Sequence, residues 1–236
     1  TPQWVVWSAQ TAAARARGLV ALDAGQFAEA ERQFRSAIAA NERIVRDEAN
    51  IVRQAELPPG TWSNLGLLMR GDLARALLRQ GRLMEAEVEQ RGVLLARLST
   101  HGRYAPETLG AVLGLGDIVF EQGRFAEAER LARVAVESLT TMKVDPASPA
   151  IARGLRMVAR TQRQRSDWAG AGTTYDEIRT RMAGNADAMR AIFDGNTHWG
   201  MVALRTGRTE EAERVLTNAV ARTTRVLGER HWDTAM

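Results

Sequence analysis

Five times along this 236-residue chain a small turn residue is followed, five places on, by an alanine. The copies are GQFAEAERQFRSA (Gly25 to Ala37), GRLMEAEVEQRGV (Gly81 to Val93), GRFAEAERLARVA (Gly123 to Ala135), SDWAGAGTTYDEI (Ser166 to Ile178) and GRTEEAERVLTNA (Gly207 to Ala219). A short unit repeated in this way cannot bury its own apolar face. Stacked neighbours bury it together, so the expected molecule is an array in which each unit touches the next.

The turns at 25, 81, 123, 166 and 207 are separated by 56, 42, 43 and 41 residues. Each interval holds two helices and their connections. Apolar and small residues recur at helical spacing, and Ala, Leu and Val dominate with few β-branched runs. The pattern predicts ten helices in five hairpins, approximately 4–56, 61–99, 106–141, 148–183 and 186–227, with 231–236 starting a further one. Leu57-Pro58-Pro59-Gly60 stops the first hairpin, and Pro106 and Pro149 suit the first turn of a helix. The ending LGERHWDTAM reads as a linker followed by a helix start, as expected of a fragment.

The first interval is 14 residues longer than the next. That is about four helical turns, so the excess fits one long helix over 27–56 without rotating its buried face. Ile44, Val45, Ile51 and Val52 then need cover. The neighbouring 61–80 helix, a partner, or self-association with another copy of the chain would each provide it.

Composition removes several chemistries. With no cysteine there is no disulfide, thiolate metal site or cysteine nucleophile. The three histidines, His101, His198 and His231, have no metal-ligand spacing, and His198 beside Trp199 reads as structural. No strand is expected, hence no phosphate loop following one. The acids after each turn (Glu29, Glu31, Glu127, Glu129, Glu210, Glu211, Glu213) read as first-turn residues complementing the helix dipole. The expectation is a protein without catalytic residues, cofactor or metal. The best apolar run, AVLGLGDIVF, is interrupted by Asp117, so no membrane span is expected. A net charge of +4 from 32 basic and 28 acidic residues, the basic ones nearly all arginine, disfavours nucleic-acid binding. Lack of cysteine suits oxidising and reducing compartments alike, and the working expectation is cytoplasmic.

Counted from each turn, position −7 is small (Gly18, Ala74, Gly116, Ala159, Gly200) and position +5 is always alanine (Ala30, Ala86, Ala128, Ala171, Ala212). Position +9 holds Phe34, Gln90, Ala132, Tyr175 and Leu216, and position +12 holds Ala37, Val93, Ala135, Ile178 and Ala219. This resembles the tetratricopeptide repeat. The longer period is similar to the kinesin light chain type, as is the tail VLGERHWDTA, with Trp232 where that type has proline. Gly25, Gly81, Gly123 and Gly207 with the +5 alanines form the signature. Ser166 in a turn, and Gln90 and Gln162 at apolar positions, depart from it and predict looser packing in the second and fourth repeats.

The resemblance implies an all-α fold, a right-handed α-solenoid of about five hairpins forming one superhelix over 1–236. It also implies a protein–protein interaction scaffold or sensor, with the first helix of each hairpin lining a concave groove. Bacterial chains of this type join an effector such as a caspase-like CHAT protease or a Ser/Thr kinase. A ligand-responsive regulatory module is the second reading. On the implied inner face stand Arg153, Arg156, Arg160 and Arg163, spaced 3, 4 and 3 apart on one side of a helix. Elsewhere that face takes Arg15, Arg75, Arg79, Asp117 and Glu121, with Leu19, Leu22, Leu78, Leu113, Phe120, Met201 and Leu204. Guanidinium groups in a row favour carboxylates or phosphates, and the apolar residues suit an acidic or amphipathic peptide. The alternative is that the arginines are a solvated helix face.

Overall fold

The computed structural model describes residues 2–227. The expected helix start at 231–236, with His231 and Trp232, lies outside them. Among the described residues there are twelve helices and no strand, and the chain divides into two compact units meeting in sequence at Gln122 and Gly123. The fold class is all-α and built from helical hairpins.

The first unit holds α1 (Gln3–Asp23), α2 (Phe27–Val45), α3 (Glu48–Ala55), α4 (Thr61–Arg79), α5 (Leu83–His101) and α6 (Pro106–Glu121). There α1 packs on α2, α2 on α4, α4 on α5 and α5 on α6. The second holds α7 (Phe125–Thr141), α8 (Pro149–Gln164), α9 (Trp168–Arg181), α10 (Ala186–Phe193), α11 (Thr197–Arg205) and α12 (Thr209–Leu227). Here α7 packs on α8, α8 on α9, α9 on α11 and α11 on α12.

The repeated turn has one backbone form. Gly25, Gly81, Gly123 and Gly207 have φ between 74° and 79°, and Ser166 takes the same left-handed conformation at 62°. In the turns at 25, 81, 166 and 207 the amide of the following residue closes the turn: Gln26 N donates to Ala21 O (2.8 Å), Arg82 N to Leu77 O (3.0 Å), Asp167 N to Gln162 O (2.9 Å) and Arg208 N to Ala203 O (2.8 Å). This satisfies carbonyls that the helix end leaves without partners.

Beyond each turn the +5 alanine is at most 1% exposed. In the first and fifth copies a glycine at −7 makes room for a large residue at +9. A Cβ on Gly18 would lie 2.6 Å from the Phe34 ring, and one on Gly200 2.6 Å from Leu216.

The expected helix over 27–56 is interrupted. α2 stops at Val45, and α3 starts at Glu48 and ends at Ala55, followed by Glu56, whose φ is 53°. The break lets Ile51 and Val52 join Ile44 and Trp62 in a buried cluster, flanked by Trp4, Trp7, Val45, Leu57 and Leu65. The residues that suggested self-association through 27–56 are thus covered by the chain itself. Glu48 also caps α4, accepting from Trp62 N (2.7 Å) and Ser63 N (3.2 Å). The first helix of the expected hairpin 186–227 is likewise split, into α10 and α11. Gly195 has φ 66°, and Asn196 Oδ1 accepts from His198 N (3.0 Å) and Trp199 N (3.2 Å).

Two polar departures from the repeat pattern are hydrogen-bonded rather than loosely packed. Gln90 Nε2 donates to Ala111 O at 2.9 Å, and Gln162 Oε1 accepts from Thr174 Oγ1 at 2.8 Å.

The first-turn acids do more than complement a dipole. Glu31 accepts from Gln80 (2.9 Å) and Arg82 (2.6 Å) at the next hairpin's turn. Glu87 accepts from Gln122 (2.8 Å), and Glu129 from Arg165 (3.0 Å). The fourth repeat has Gly172 at that position. Its link runs through Asp176 to Arg208 (2.7 and 2.5 Å) and Arg179 to Glu211 (2.6 Å).

The turn geometry and the acid links can each be tested by substitution. Replacing Ser166 by Gly removes a side chain from the left-handed region and is expected to stabilise the second unit by about 1 kcal/mol in urea melts, whereas Gly81→Ser costs the first unit a similar amount. For Glu31, burial acts to raise the pKa, but hydrogen bonds from Gln80, Arg35 and Arg82 outweigh it and hold the carboxyl below its ordinary value. A depressed carboxyl adds stability that is present above its unfolded pKa and lost as pH falls through the folded one. Glu31→Gln is therefore expected to make stability fall less steeply with acid below about pH 4.5, read by urea melts across pH.

Candidate partner-binding site

The basic face of α8 arises from an amphipathic helix whose buried stripe is complete without it. Ser148 Oγ accepts from Ile151 N and Pro149 occupies the first turn, which fixes the start of the helix. Ile151, Leu155, Val158 and Ala159 are each at most 4% exposed. The arginines fall on the other side: Arg153 and Arg156 are exposed, Arg160 and Arg163 half-buried.

They differ in what they meet. Arg153 and Arg160 are engaged by other groups of the chain. No hydrogen bond or ion pair joins Arg156 to a carboxylate among the described residues, and the same holds for Arg163. Arg163 Nε is buried and lacks a hydrogen-bond partner. A buried donor left in this way is costly, on the order of 1–3 kcal/mol, unless a ligand or water satisfies it.

Nearby groups of the same unit feel this charge. His198, in the first turn of α11, is exposed, although the imidazole is partly desolvated. That desolvation and the charges of Arg163, Arg160 and Arg156 push its pKa below the ordinary value. Burial pushes the Tyr175 phenol up, while the charges of Arg156 and Arg163 act in the opposite direction. The packed residue of the His198–Trp199 pair is Trp199, fully buried against Tyr175 (5.0 Å) and Phe193 (5.7 Å). Arg179 stacks on Phe193 and Trp199 at 4.9 and 5.4 Å.

The other expected site residues belong to the first unit. Asp72 of α4, largely buried, holds Arg15 of α1 at 3.0 Å and Arg75 at 2.8 Å, which neutralises both in place. Arg79 lies over the Phe27 ring at 5.4 Å. Asp117 is half-buried and engaged by other groups. Phe120 and Leu113 are buried, at 4% and 2% exposure, and offer no surface to a partner. Leu19, Leu22 and Leu78 pack on the first unit's core, whereas Met201 and Leu204 are exposed.

Models of the tetratricopeptide repeat match residues 15–53 and 71–143, and again 200–233, together more than half of the chain. The chain belongs to the tetratricopeptide-repeat family. Among solved structures, it is similar to the nearly identical TPR-like repeats of a Podosopora anserina putative kinesin light chain. A singly substituted form of that protein gives a TM-score of 0.65 at 17% identity, over 95% of this chain and 98% of that one. BtubC (BKLC) from P. vanneervenii gives 0.59 at 16% identity, over 97% and 92%. The apo form of RapI gives 0.65 at 9% identity, over 93% of this chain and 54% of that one. Comparison with curated protein sequences gives no match.

The repeat family supports a protein–protein interaction scaffold. No described helix is long and apolar enough to cross a membrane. No group of three or more His, Cys, Asp or Glu among the described residues could hold a metal ion.

Because desolvation and then arginine charge hold the His198 pKa down, removing one of the charges should raise it part of the way. The Arg163→Gln chain is expected to show a higher His198 pKa than the natural chain in a two-dimensional NMR pH titration, and an unmoved midpoint would separate His198 from this face.

Proposed function

We propose that this tetratricopeptide module is a non-catalytic recognition domain that binds an acidic or amphipathic peptide segment of a partner protein on the basic face of α8. The observation that supports this reading is the pair Arg156 and Arg163, which meet no carboxylate among the described residues, with Arg163 Nε buried and unsatisfied. Arg179 Nε is buried without a partner as well, but Glu211 holds Arg179 through its other nitrogens, whereas no carboxylate among the described residues holds Arg163. A ligand carboxylate accepts from two guanidinium nitrogens at once, which suits this face better than a bulky apolar group.

Exposed Met201 and Leu204 on α11 add apolar surface in the same unit, in keeping with an amphipathic ligand. As a recognition domain, the chain would act within a larger assembly or polypeptide, with any chemistry supplied by what it brings together.

Affinity capture with the natural chain, compared with the Arg156→Glu, Arg163→Glu chain, tests this. A partner retained by the first and lost by the second, with affinity of its acidic segment reduced about tenfold or more, is the expected result. Equal binding of that segment by both chains would sink the reading.

A further inference from the structure

The neighbours His198 and Trp199 face different surroundings. Trp199 is fully buried on Tyr175 of α9 at 5.0 Å, whereas His198 is exposed and its imidazole makes no hydrogen bond or ion pair among the described residues. Its backbone is fixed all the same, because His198 N donates to Asn196 Oδ1 in the cap of α11. Both ring nitrogens are thus open to a ligand.

The residue stands beside the α8 arginines. α9 packs on both α8 and α11, and its Tyr175, in contact with Trp199, lies in the field of Arg156 and Arg163. The charges acting on the His198 imidazole are those of Arg163, Arg160 and Arg156, and no carboxylate opposes them. The first turn of α11 has no acid, unlike those of α5, α7 and α12 with Glu85, Glu127 and Glu210. Its amides add the positive end of a helix dipole.

The other charged groups around α11 are held elsewhere or leave the ring unaffected. On α9, Asp176 is held by Arg208, and Arg179 by Glu211 of α12. Arg222 of α12 donates to Gly195 O. Ahead of α11, Asp187 holds Arg190, and Asp194 is exposed four residues before His198. None of these is among the charges acting on the imidazole.

We propose, resting on the α8 reading above, that His198 is a further residue of that recognition site and takes up a proton when an acidic segment binds, so that recognition strengthens on acidification. In the free chain a proton on His198 meets three guanidinium groups and a partly desolvated site, and both disfavour it. A bound carboxylate sets negative charge against those arginines and removes part of the repulsion. The imidazolium then has an anion to donate to, through two N–H groups instead of one. Reciprocity gives the sign: an anion that favours the protonated ring is itself favoured by it, so affinity rises as pH falls through the histidine range. A rise of about one unit in the imidazole pKa on binding corresponds to about a tenfold gain in affinity once the ring is fully protonated.

A peptide of six aspartates serves as the probe, because its carboxylates stay ionised at the pH values compared. Fluorescence anisotropy with the labelled peptide is expected to show the natural chain binding about threefold or more tighter at about pH 5.5 than at about pH 8, since only part of the full gain is reached there. His198→Gln is expected to level the two affinities, and His101→Gln, in the other unit, to keep the natural ratio. Circular dichroism checks that His198→Gln folds; the cap of α11 uses the backbone amide, which glutamine retains. In two-dimensional NMR, the His198 midpoint of the natural chain should move up by about one unit on saturation with the peptide. A natural ratio kept by His198→Gln, or a midpoint unmoved by the peptide, overturns the proposal and leaves the α8 reading in place where the Arg156→Glu, Arg163→Glu chain no longer binds the peptide. No binding at any pH, or equal binding by that double variant, overturns both.

Discussion

Each hairpin in this protein depends on one close approach between two helices. The alanine five places after the turn is almost fully buried in all five copies, and the residue seven places before the turn is glycine or alanine. Where that residue is Gly18, the Phe34 ring fills the space, and where it is Gly200, Leu216 does. Two helices held this near bury their facing stripes with few large side chains, which explains how a chain poor in aromatics builds a buried core. The left-handed residue in the turn sets the return angle, and the amide after it fastens the helix end.

Joining one hairpin to the next is a separate problem, and here polar groups contribute. Acids six places after the turn reach to the following turn: Glu31 to Gln80 and Arg82, Glu87 to Gln122, Glu129 to Arg165. These are partly buried carboxylates with several donors each, a geometry in which ion pairs matter more than isolated surface pairs do. The fourth repeat, with Gly172 there, uses Asp176 and Arg179 one and two turns further along its helix. Neighbour-to-neighbour links of this kind suit an array whose stability is a sum over repeats and the contacts between them.

The fold class was legible in the sequence because the period, the turn residue and the small-residue positions are local signals repeated five times. The helix breaks were less so. Nothing in the Arg46-Asp47 stretch forbids a helix, and the interruption serves distant residues, Trp62 and the start of α4, that local propensity does not see. The second break carried a readable sign, Gly195-Asn196, a left-handed glycine followed by a capping residue. Helical spacing put the four arginines of α8 on one side, but whether each finds a carboxylate depends on other helices. Phe120 was misplaced for a related reason: surface and core positions differ by about one residue in a helix, and its ring is buried. Gln90 and Gln162 looked like packing defects because their partners, Ala111 and Thr174, lie on other helices.

A repeat fold confines its structural demands to a few positions and leaves the rest open to other uses. On α8 the apolar stripe is complete without the arginines, and on α5 the inner face is satisfied by hydrogen bonds without Val88 or Leu95. These two surplus faces differ in what water can do for them. An exposed guanidinium is well hydrated, so an arginine row alone marks little, and it is the buried, unsatisfied Arg163 Nε that distinguishes α8. A row of exposed aliphatic side chains gains nothing from water, and single residues of that kind are ordinary, but here Met84, Val88, Leu95 and Leu98 all stand on one helix. Surface that the fold does not require, and that solvent does not favour, is where the physical case for contact with another molecule is strongest.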